Sequence, residues 1–354
     1  MRLSKSRHKI DRIDEKIVGL LNKRAKESLE IKRIKKNLKK GIFTPAREKE
    51  VYENVSKRNK GPLSEKSIRA IYREIMSGSL ALDKSPRIAY LGPETTFTHI
   101  AALNKFGASV KYLVCKSITD VFTEVERGRA DYGVVPIENS TEGAVNHTLD
   151  MFIDSELKIC SEVYLPIEHN LLSKHKKVSS IKKVCSHEQV FAQCRIWLEK
   201  NLPNVKLTSY ESTSQAALVA TLGKRSAAIA SKLAARKYGL NILAPSIEDS
   251  SHNVTRFLVI GKQEAEPSRG DKTSIVFSLK DRVGVLHDAL VPFKRNKINL
   301  TKIESRPSRL KAWEYYFFVD LEGHYKNTKV KKALSELEKG CTYLKVLGSY
   351  PVGK

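Results

Sequence analysis

The chain has 354 residues, enough for two or three domains with cores of their own. Hydrophobic residues make up 41% and charged residues 29%, which excludes wholesale disorder. The net charge of +25, with 20 Lys/Arg against 8 Asp/Glu in the first sixty positions, either attracts anions (nucleic acid, acidic lipid, small polycarboxylates) or is a solvated lysine-rich helix face.

Residues 1–83 read as helical throughout, punctuated by Gly41 and by Gly61-Pro62. Thr44-Pro45 reads as an N-cap followed by proline at the first helical position. Ile10, Ile17, Arg24, Ile31 and Leu38 recur every seven residues, and Ile13, Leu20, Glu27 and Ile34 form a companion stripe. Together they make an apolar seam interrupted by Arg24 and Glu27. A buried cation without a partner is costly, so Arg24 meets either an anionic ligand or Glu27 three residues on. Lys35 lies eleven residues after Arg24, close to three full turns and roughly 16 Å along the axis. Arg7 lies seventeen residues before it, roughly 25 Å away, so an Arg7 that shares a site with Arg24 comes from another chain.

Ser85-Pro86 marks a boundary. In residues 87–262, short apolar runs (87–91, 130–135, 182–184, 226–229, 257–260) alternate with helical patterns at 118–127 and 189–200, which predicts α/β architecture. Residues 264–270 form a polar linker. Strand patterns at 272–279, 298–304, 314–321 and 343–350, with helices at 285–294 and 328–339, predict the βαββαβ ferredoxin-like plan. The five cysteines include no Cys-x-x-Cys pair, which argues against a zinc site or disulfide framework and fits a reducing cytosol. No window approaches the roughly 18 apolar residues of a membrane span and no apolar segment follows the basic N-terminus, so a soluble, cytoplasmic protein is expected.

The run from Arg7 to Arg24 (RHKIDRIDEKIVGLLNKR), continued by Lys35, by Arg47-Glu48 after Pro45 and by Ser79, resembles the all-helical chorismate mutases. The resemblance implies an intertwined dimer in which Arg7 of one protomer, with Arg24 and Arg47 of the other, binds the substrate carboxylates. Lys35 would donate to the ether oxygen and Glu48 accept from the hydroxyl. The rearrangement is pericyclic, so catalysis is conformer selection plus electrostatic stabilisation of the polarised ether. Two positions depart from the family: Thr44 stands where Asp is usual, and Asp83 where Gln or Glu is usual. Ser79 and Asp83 are spaced to share a helix face, and an Asp there must be protonated to donate. A mutase that is weak at neutral pH or improves as pH falls is therefore expected.

Polar segments in the middle region sit at strand exits and helix starts, where α/β folds place ligands. They are Gly92-Pro-Glu-Thr-Thr96-Phe, Pro136-Ile-Glu138-Asn139-Ser140, Ser186-His187-Glu-Gln189, Ser212-Thr213 before a helix, and Asn253-Val-Thr255-Arg256-Phe257. Each alone reads equally as a turn or a cap. In this order they resemble prephenate dehydratase across residues 87–261. The resemblance implies that Thr255 assists departure of the ring hydroxyl. Threonine is a poor acid, so it orients and hydrogen-bonds the leaving group. Arg256 is expected to hold a carboxylate bidentately. Thr96, Glu138, Asn139, Ser140, Ser186, His187, Thr213 and Phe257 are expected to line a cleft between two lobes. Thr95 replaces a usual glycine, and a β-branched side chain would strain a positive φ there.

Near the C-terminus, Gly284-Val285-Leu286 in a strand-to-helix loop and Glu304-Ser305-Arg306-Pro307 after the second strand resemble the ACT-type regulatory domain of prephenate dehydratases. The resemblance implies that these segments form a phenylalanine site at a dimer interface. Val283 and Val285 replace a frequent proline and alanine, leaving affinity open.

A multidomain chain is expected. It comprises an all-α mutase domain (1–84), a two-lobed α/β dehydratase domain laid out like a periplasmic binding protein (86–262) and an α+β ferredoxin-like ACT domain (271–354). Chorismate and prephenate are the expected substrates, phenylalanine the effector and a homodimer or homotetramer the assembly, with no cofactor, metal, nucleic acid or membrane partner. The rivals are a monofunctional prephenate or arogenate dehydratase with an inactive mutase segment, a two-lobed solute-binding protein, and a ligand-sensing nucleic-acid regulator. No helix-turn-helix, finger or aromatic-basic platform supports the last.

Overall fold

The computed structural model describes residues 2–38, 41–250, 252–308 and 314–353. With no proline to break it, α1 (Arg2–Asn37) is one helix of 36 residues. Pro45 opens α2 (Pro45–Arg58), where its fixed φ suits the first turn. Ser64 caps α3 (Glu65–Ala81) by accepting from the Ser67 N–H. On α1, Ile10, Ile13, Ile17, Leu20, Ile31 and Ile34 are each at least 47% exposed. The apolar seam read from the sequence exists, and its own chain leaves it uncovered.

The next region has two lobes. The first runs β1 (Arg87–Leu91), α4 (Phe97–Phe106), β2 (Lys111–Cys115), α5 (Ile118–Glu126), β3 (Tyr132–Asn139), β4 (Gly143–Ala144), α6 (Asn146–Asp154) and β5 (Lys158–Pro166). The second runs β6 (Asn170–Ser173), β7 (Lys183–Ser186), α7 (Glu188–Gln193), α8 (Arg195–Asn201), β8 (Lys206–Ser209), α9 (Thr213–Leu222), β9 (Ser226–Ala230), α10 (Lys232–Tyr238) and β10 (Asn241–Ala244). The chain then returns to the first lobe as β11 (Val254–Gly261). The first sheet has the order β2-β1-β3-β11-β5, with β4 on β3, and the second β10-β6-β9-β7-β8. The helix predicted over 189–200 is two short helices that meet at Cys194, the C-cap of α7 and N-cap of α8.

The last region is β12 (Asp271–Leu279), α11 (Val285–Arg295), β13 (Leu300–Pro307), β14 (Tyr315–Glu322), α12 (Thr328–Glu338) and β15 (Cys341–Pro351), in sheet order β13-β14-β12-β15. This is the βαββαβ plan that the patterns predict. Ile275, Phe277, Val319 and Leu321 meet α11 and α12 on one face of the sheet. Val276, Phe318, Leu347 and Tyr350 on the other face join a core with Ile137, Phe152 and Leu258 of the first lobe. The third sheet is therefore packed directly against the back of the sheet that carries β3 and β11.

Candidate active sites

β11 lies between β3 and β5 and is antiparallel to both. Side chains alternate across a strand, so Thr255 and Phe257 point one way and Arg256 the other. Thr255 and Phe257 line a cavity of about 270 Å³ between the lobes, with Thr96, Asn139, His169, His187, Gln189, Gln193, Ser212 and Thr213 among the other walls. Thr255 Oγ1 accepts from Asn139 Nδ2 at 2.8 Å. The same amide nitrogen donates to Asn253 Oδ1 at 2.8 Å, while Asn139 Oδ1 accepts the N–H groups of Thr141 and Glu142. Both ends of the amide are committed, which fixes its orientation. No described residue accepts the Thr255 hydroxyl proton, which is free to serve a ligand in the cavity.

The lobes are joined across the cleft. Glu142 accepts from Gln189 Nε2 and from Gln193 Nε2, each at 2.8 Å. Gln193 Oε1 accepts from Asn253 Nδ2 at 3.1 Å and faces His169 Nε2 at 2.8 Å, so the histidine proton sits on Nε2. Burial lowers the His169 pKa, against smaller raising effects of Gln193 and Glu248, and keeps the ring neutral near pH 7. Thr95 adopts φ +72°, the strained conformation anticipated for a residue replacing glycine. Its N–H donates to His99 Nδ1 at 3.0 Å, its hydroxyl to Ser214 Oγ at 2.7 Å, and its carbonyl accepts from Ser231 Oγ at 2.9 Å. These bonds span both lobes and offset a backbone cost of about 1–3 kcal/mol.

No Lys, Arg, Asp or Glu is among the residues lining the cavity. The positive dipole ends that reach it are helix N-termini: Thr96 caps α4, and Ser212 caps α9. His187 accepts from Gln189 N at 3.3 Å as the N-cap of α7.

Arg256 does not face the cavity. It is 5% exposed and donates from Nε to Glu162 (2.8 Å), from Nη1 to Asp320 (2.6 Å) and from Nη2 to the Tyr350 hydroxyl (2.9 Å). Burial alone would lower its pKa, but Tyr350, Asp320 and Glu162 raise it, so it stays charged. The expectation that Arg256 holds a ligand carboxylate is corrected by strand alternation, which turns it toward the third sheet. Glu138, its register partner on β3, points the same way and pairs with Lys302 at 2.9 Å. Ser186 is fully buried and donates to the Ile229 carbonyl, so it does not line the cavity either. Ser140 bonds His252 O and Val254 N, holding the entry to β11 outside the cavity wall.

In the helical region Arg24 Nη1 donates to Ser79 Oγ at 2.7 Å, so its partner is Ser79 and not Glu27. Lys35 donates to Thr44 Oγ1 and, at 3.3 Å, to the Ile42 carbonyl. Thr44 is the N-cap residue but makes no side-chain cap bond, since its hydroxyl serves Lys35. Glu48 pairs with Lys105 of α4 at 2.7 Å, and the exposed Arg47 pairs with Glu50 at 2.9 Å. Arg7 is exposed on α1, outside this group. α3 ends at Ala81, and the exposed Asp83 follows at φ +65°. Ser79 and Asp83 therefore do not share a helix face, which corrects that expectation. One chain brings Arg24 to Ser79 and Lys35 to Thr44, and does not bring Arg7, Arg47 or Asp83 to them.

On β13 Ser305 pairs with Phe317 on the helix-covered face, whereas Glu304 pairs with Phe318 on the face against the first lobe. Arg306 follows Glu304 and bonds Asp150 of α6 at 3.2 Å. Gly284, at φ +77°, starts α11, with Val285 and Leu286 partly buried behind the fully exposed Val283.

His169 and Gln193 line the cleft outside the segments that the sequence marks. Gln193 was findable: it stands four residues after Gln189, which places both on one helix face. His169 carries no comparable spacing signal. Among the described residues no helix is long and apolar enough to cross a membrane, and no cluster of three His, Cys, Asp or Glu is placed to hold a metal ion.

Comparison with known proteins matches residues 88–265 to the prephenate dehydratase family, residues 6–84 to chorismate mutase type II, and residues 273–339 to the ACT domain. A bifunctional chorismate mutase/prephenate dehydratase of Aquifex aeolicus is 52% identical over 353 residues, covering 99% of this chain and 98% of the relative. One from Stutzerimonas stutzeri is 45% identical over 98% of this chain and 96% of its own length. A solved prephenate dehydratase from Arthrobacter aurescens, in complex with L-Phe, superimposes with TM-score 0.69 at 36% identity, over 75% of this chain and 90% of that one.

Proposed function

Because the chain belongs to the family of bifunctional chorismate mutase/prephenate dehydratases, we propose that it converts chorismate to prephenate in its helical region, converts prephenate to phenylpyruvate in its two-lobed cleft, and is inhibited by phenylalanine through its ACT domain. The observation that carries the dehydratase reading is Thr255 Oγ1, on the cleft wall and held by Asn139, with no acceptor among the described residues for its proton. In prephenate, cleavage of the ring–carboxylate bond releases CO2 and supplies the electron pair that aromatises the ring. The ring C–O bond breaks at the same time and the hydroxyl leaves. Thr255 hydrogen-bonds that departing oxygen, and the N-termini of α4 and α9 receive carboxylate charge in place of an arginine. Glu142, with Gln189 and Gln193, holds the lobes together around the reaction, and the neutral His169 bonds Gln193.

The mutase reading rests on Arg24, Ser79, Lys35 and Thr44, with a second protomer contributing Arg7. The exposed seam of α1 favours a dimer, since each large apolar side chain covered contributes roughly 1.5–3 kcal/mol. The exposed Ser305 and Pro307, with the Gly284 loop, are the proposed phenylalanine contacts, shared between copies of the ACT domain.

The test is to incubate the pure protein with chorismate and, separately, with prephenate. Phenylpyruvate from both supports the bifunctional reading. Product from prephenate alone means an inactive mutase region, and product from neither rejects the enzyme reading.

A further inference from the structure

The pair that defines the cleft, Thr255 on β11 and Asn139 on β3, stands in register, and so does the next pair along, Arg256 and Glu138, on the opposite face. Across the domain boundary, Asp320 on β14 and Lys302 on β13 are also in register. These four side chains form an open chain of alternating charge, Asp320–Arg256–Glu138–Lys302. Arg256 meets Asp320 at 2.6 Å, Glu138 meets Lys302 at 2.9 Å, and Arg256 lies 3.8 Å from Glu138. Ser274 of β12 and Tyr350 of β15 bond Asp320 and Arg256. Every strand of the third sheet therefore reaches this cluster, and each of the two cleft residues has an ion pair one residue behind it.

Resting on the reading of Thr255 and Asn139 as dehydratase residues, we propose that Arg256 and Glu138 are positioning residues that carry the position of the ACT sheet through β11 and β3 to the cleft, and that phenylalanine control of dehydratase turnover travels by this charge quartet. The geometry constrains the motion. Side chains 255 and 256 share one stretch of backbone but face opposite ways, so a displacement that drags the guanidinium also tilts the threonine. Arg256 and Asp320 are buried, so their ion pair resists separation and shifts as a unit. A misplacement of about 1 Å at a reacting group costs on the order of a hundredfold in rate, so a small shift suffices. β13 also carries the Glu304–Pro307 segment, two residues beyond Lys302, which joins the proposed phenylalanine contacts to the quartet along one strand.

Lys302 is the place to cut. Its partner Glu138 is 38% exposed and can be hydrated when the lysine is removed, unlike the fully buried Glu162. The experiment compares full-length wild type, Lys302→Met and Lys302→Arg for dehydratase kcat and KM, mutase kcat, inhibition by phenylalanine, and the thermal shift that phenylalanine causes. In Lys302→Met the thermal shift, mutase kcat and prephenate KM stay as in wild type. The effect of phenylalanine on dehydratase kcat shrinks by about fivefold or more, a typical coupling between sites. Lys302→Arg restores it. Undiminished inhibition in Lys302→Met overturns the proposal. So does loss of both activities in both variants, which marks Lys302 as merely structural. A wild type that fails to turn over prephenate overturns the underlying reading instead.

Discussion

The two catalytic regions are assembled on different terms. The dehydratase cleft is closed within one chain: Glu142 clamps two glutamines from the opposite lobe, and Thr95 ties the lobes from the other side. The helical region gathers Arg24 with Ser79 and Lys35 with Thr44, then leaves Arg7 and a stripe of isoleucines in solvent. On the reading proposed above, folding one chain completes the first site, while the second needs Arg7 from another copy. Substitutions should therefore separate the two activities, and mixing of chains should matter for only one of them.

The largest effect is expected at Thr255. Thr255→Ala removes the hydrogen bond to the leaving oxygen and should lower dehydratase kcat by about a hundredfold to ten-thousandfold, with mutase turnover unchanged. Wild-type-like consumption of prephenate by the variant would remove Thr255 from the mechanism. Next is Arg7→Ala, which should lower mutase kcat/KM by about tenfold to a hundredfold and spare the dehydratase. Its sharper form mixes chains. Arg7→Ala and Arg24→Ala are each deficient alone, but refolding them together in equal amounts should restore about one quarter of wild-type mutase sites, because only one site of each heterodimer is intact. No recovery on mixing would place both arginines in one protomer or in no common site.

A smaller effect separates the regions by pH. Burial sets the folded pKa of His169 below its ordinary 6.5, so the unfolded chain binds that proton more tightly. The stability this gives is fully present above pH 6.5 and is lost as pH falls below it toward the folded value, at up to about 1.4 kcal/mol per pH unit. Melting temperature followed from pH 7.5 to 5 should drop less steeply in His169→Gln than in wild type. Equal slopes would mean that His169 is not held neutral.

Much of this arrangement is legible in the sequence, with characteristic exceptions. The three helical stretches and the βαββαβ plan follow from spacing, while the strand-end motifs gain their meaning from the family resemblance. β5 escapes because Ser161 and Glu162 interrupt its apolar pattern, and they are buried only because Glu162 serves Arg256 and Lys272. Arg256 is the instructive miss. The period of two in Thr255-Arg256-Phe257 already sends the arginine away from its neighbours, but the motif reads as one unit and its chemistry suggests a carboxylate. What sequence cannot supply is the partner on the far face, since Asp320 lies 64 residues away. His169 is illegible for the related reason that its role depends on Gln193, 24 residues away in sequence.

The smallest expected effect tests where α3 ends. Spacing puts Asp83 on the face of Ser79, and a carboxyl there would have to be protonated to help the ether oxygen, making the mutase improve with acid. The helix stops at Ala81, Leu82 is extended, and Asp83 is exposed in a left-handed turn. Aspartate tolerates that conformation and asparagine does so equally, so Asp83→Asn removes the charge without backbone strain. Mutase turnover should then change by less than about twofold, as for an exposed substitution away from a site, and its profile between pH 5 and 8 should match wild type. An acid-enhanced mutase whose enhancement vanishes in Asp83→Asn would show that the partner protomer rewinds α3 by another half turn and brings the carboxyl back beside Ser79. The helical region would then differ from the cleft in its secondary structure as well as in its missing residue.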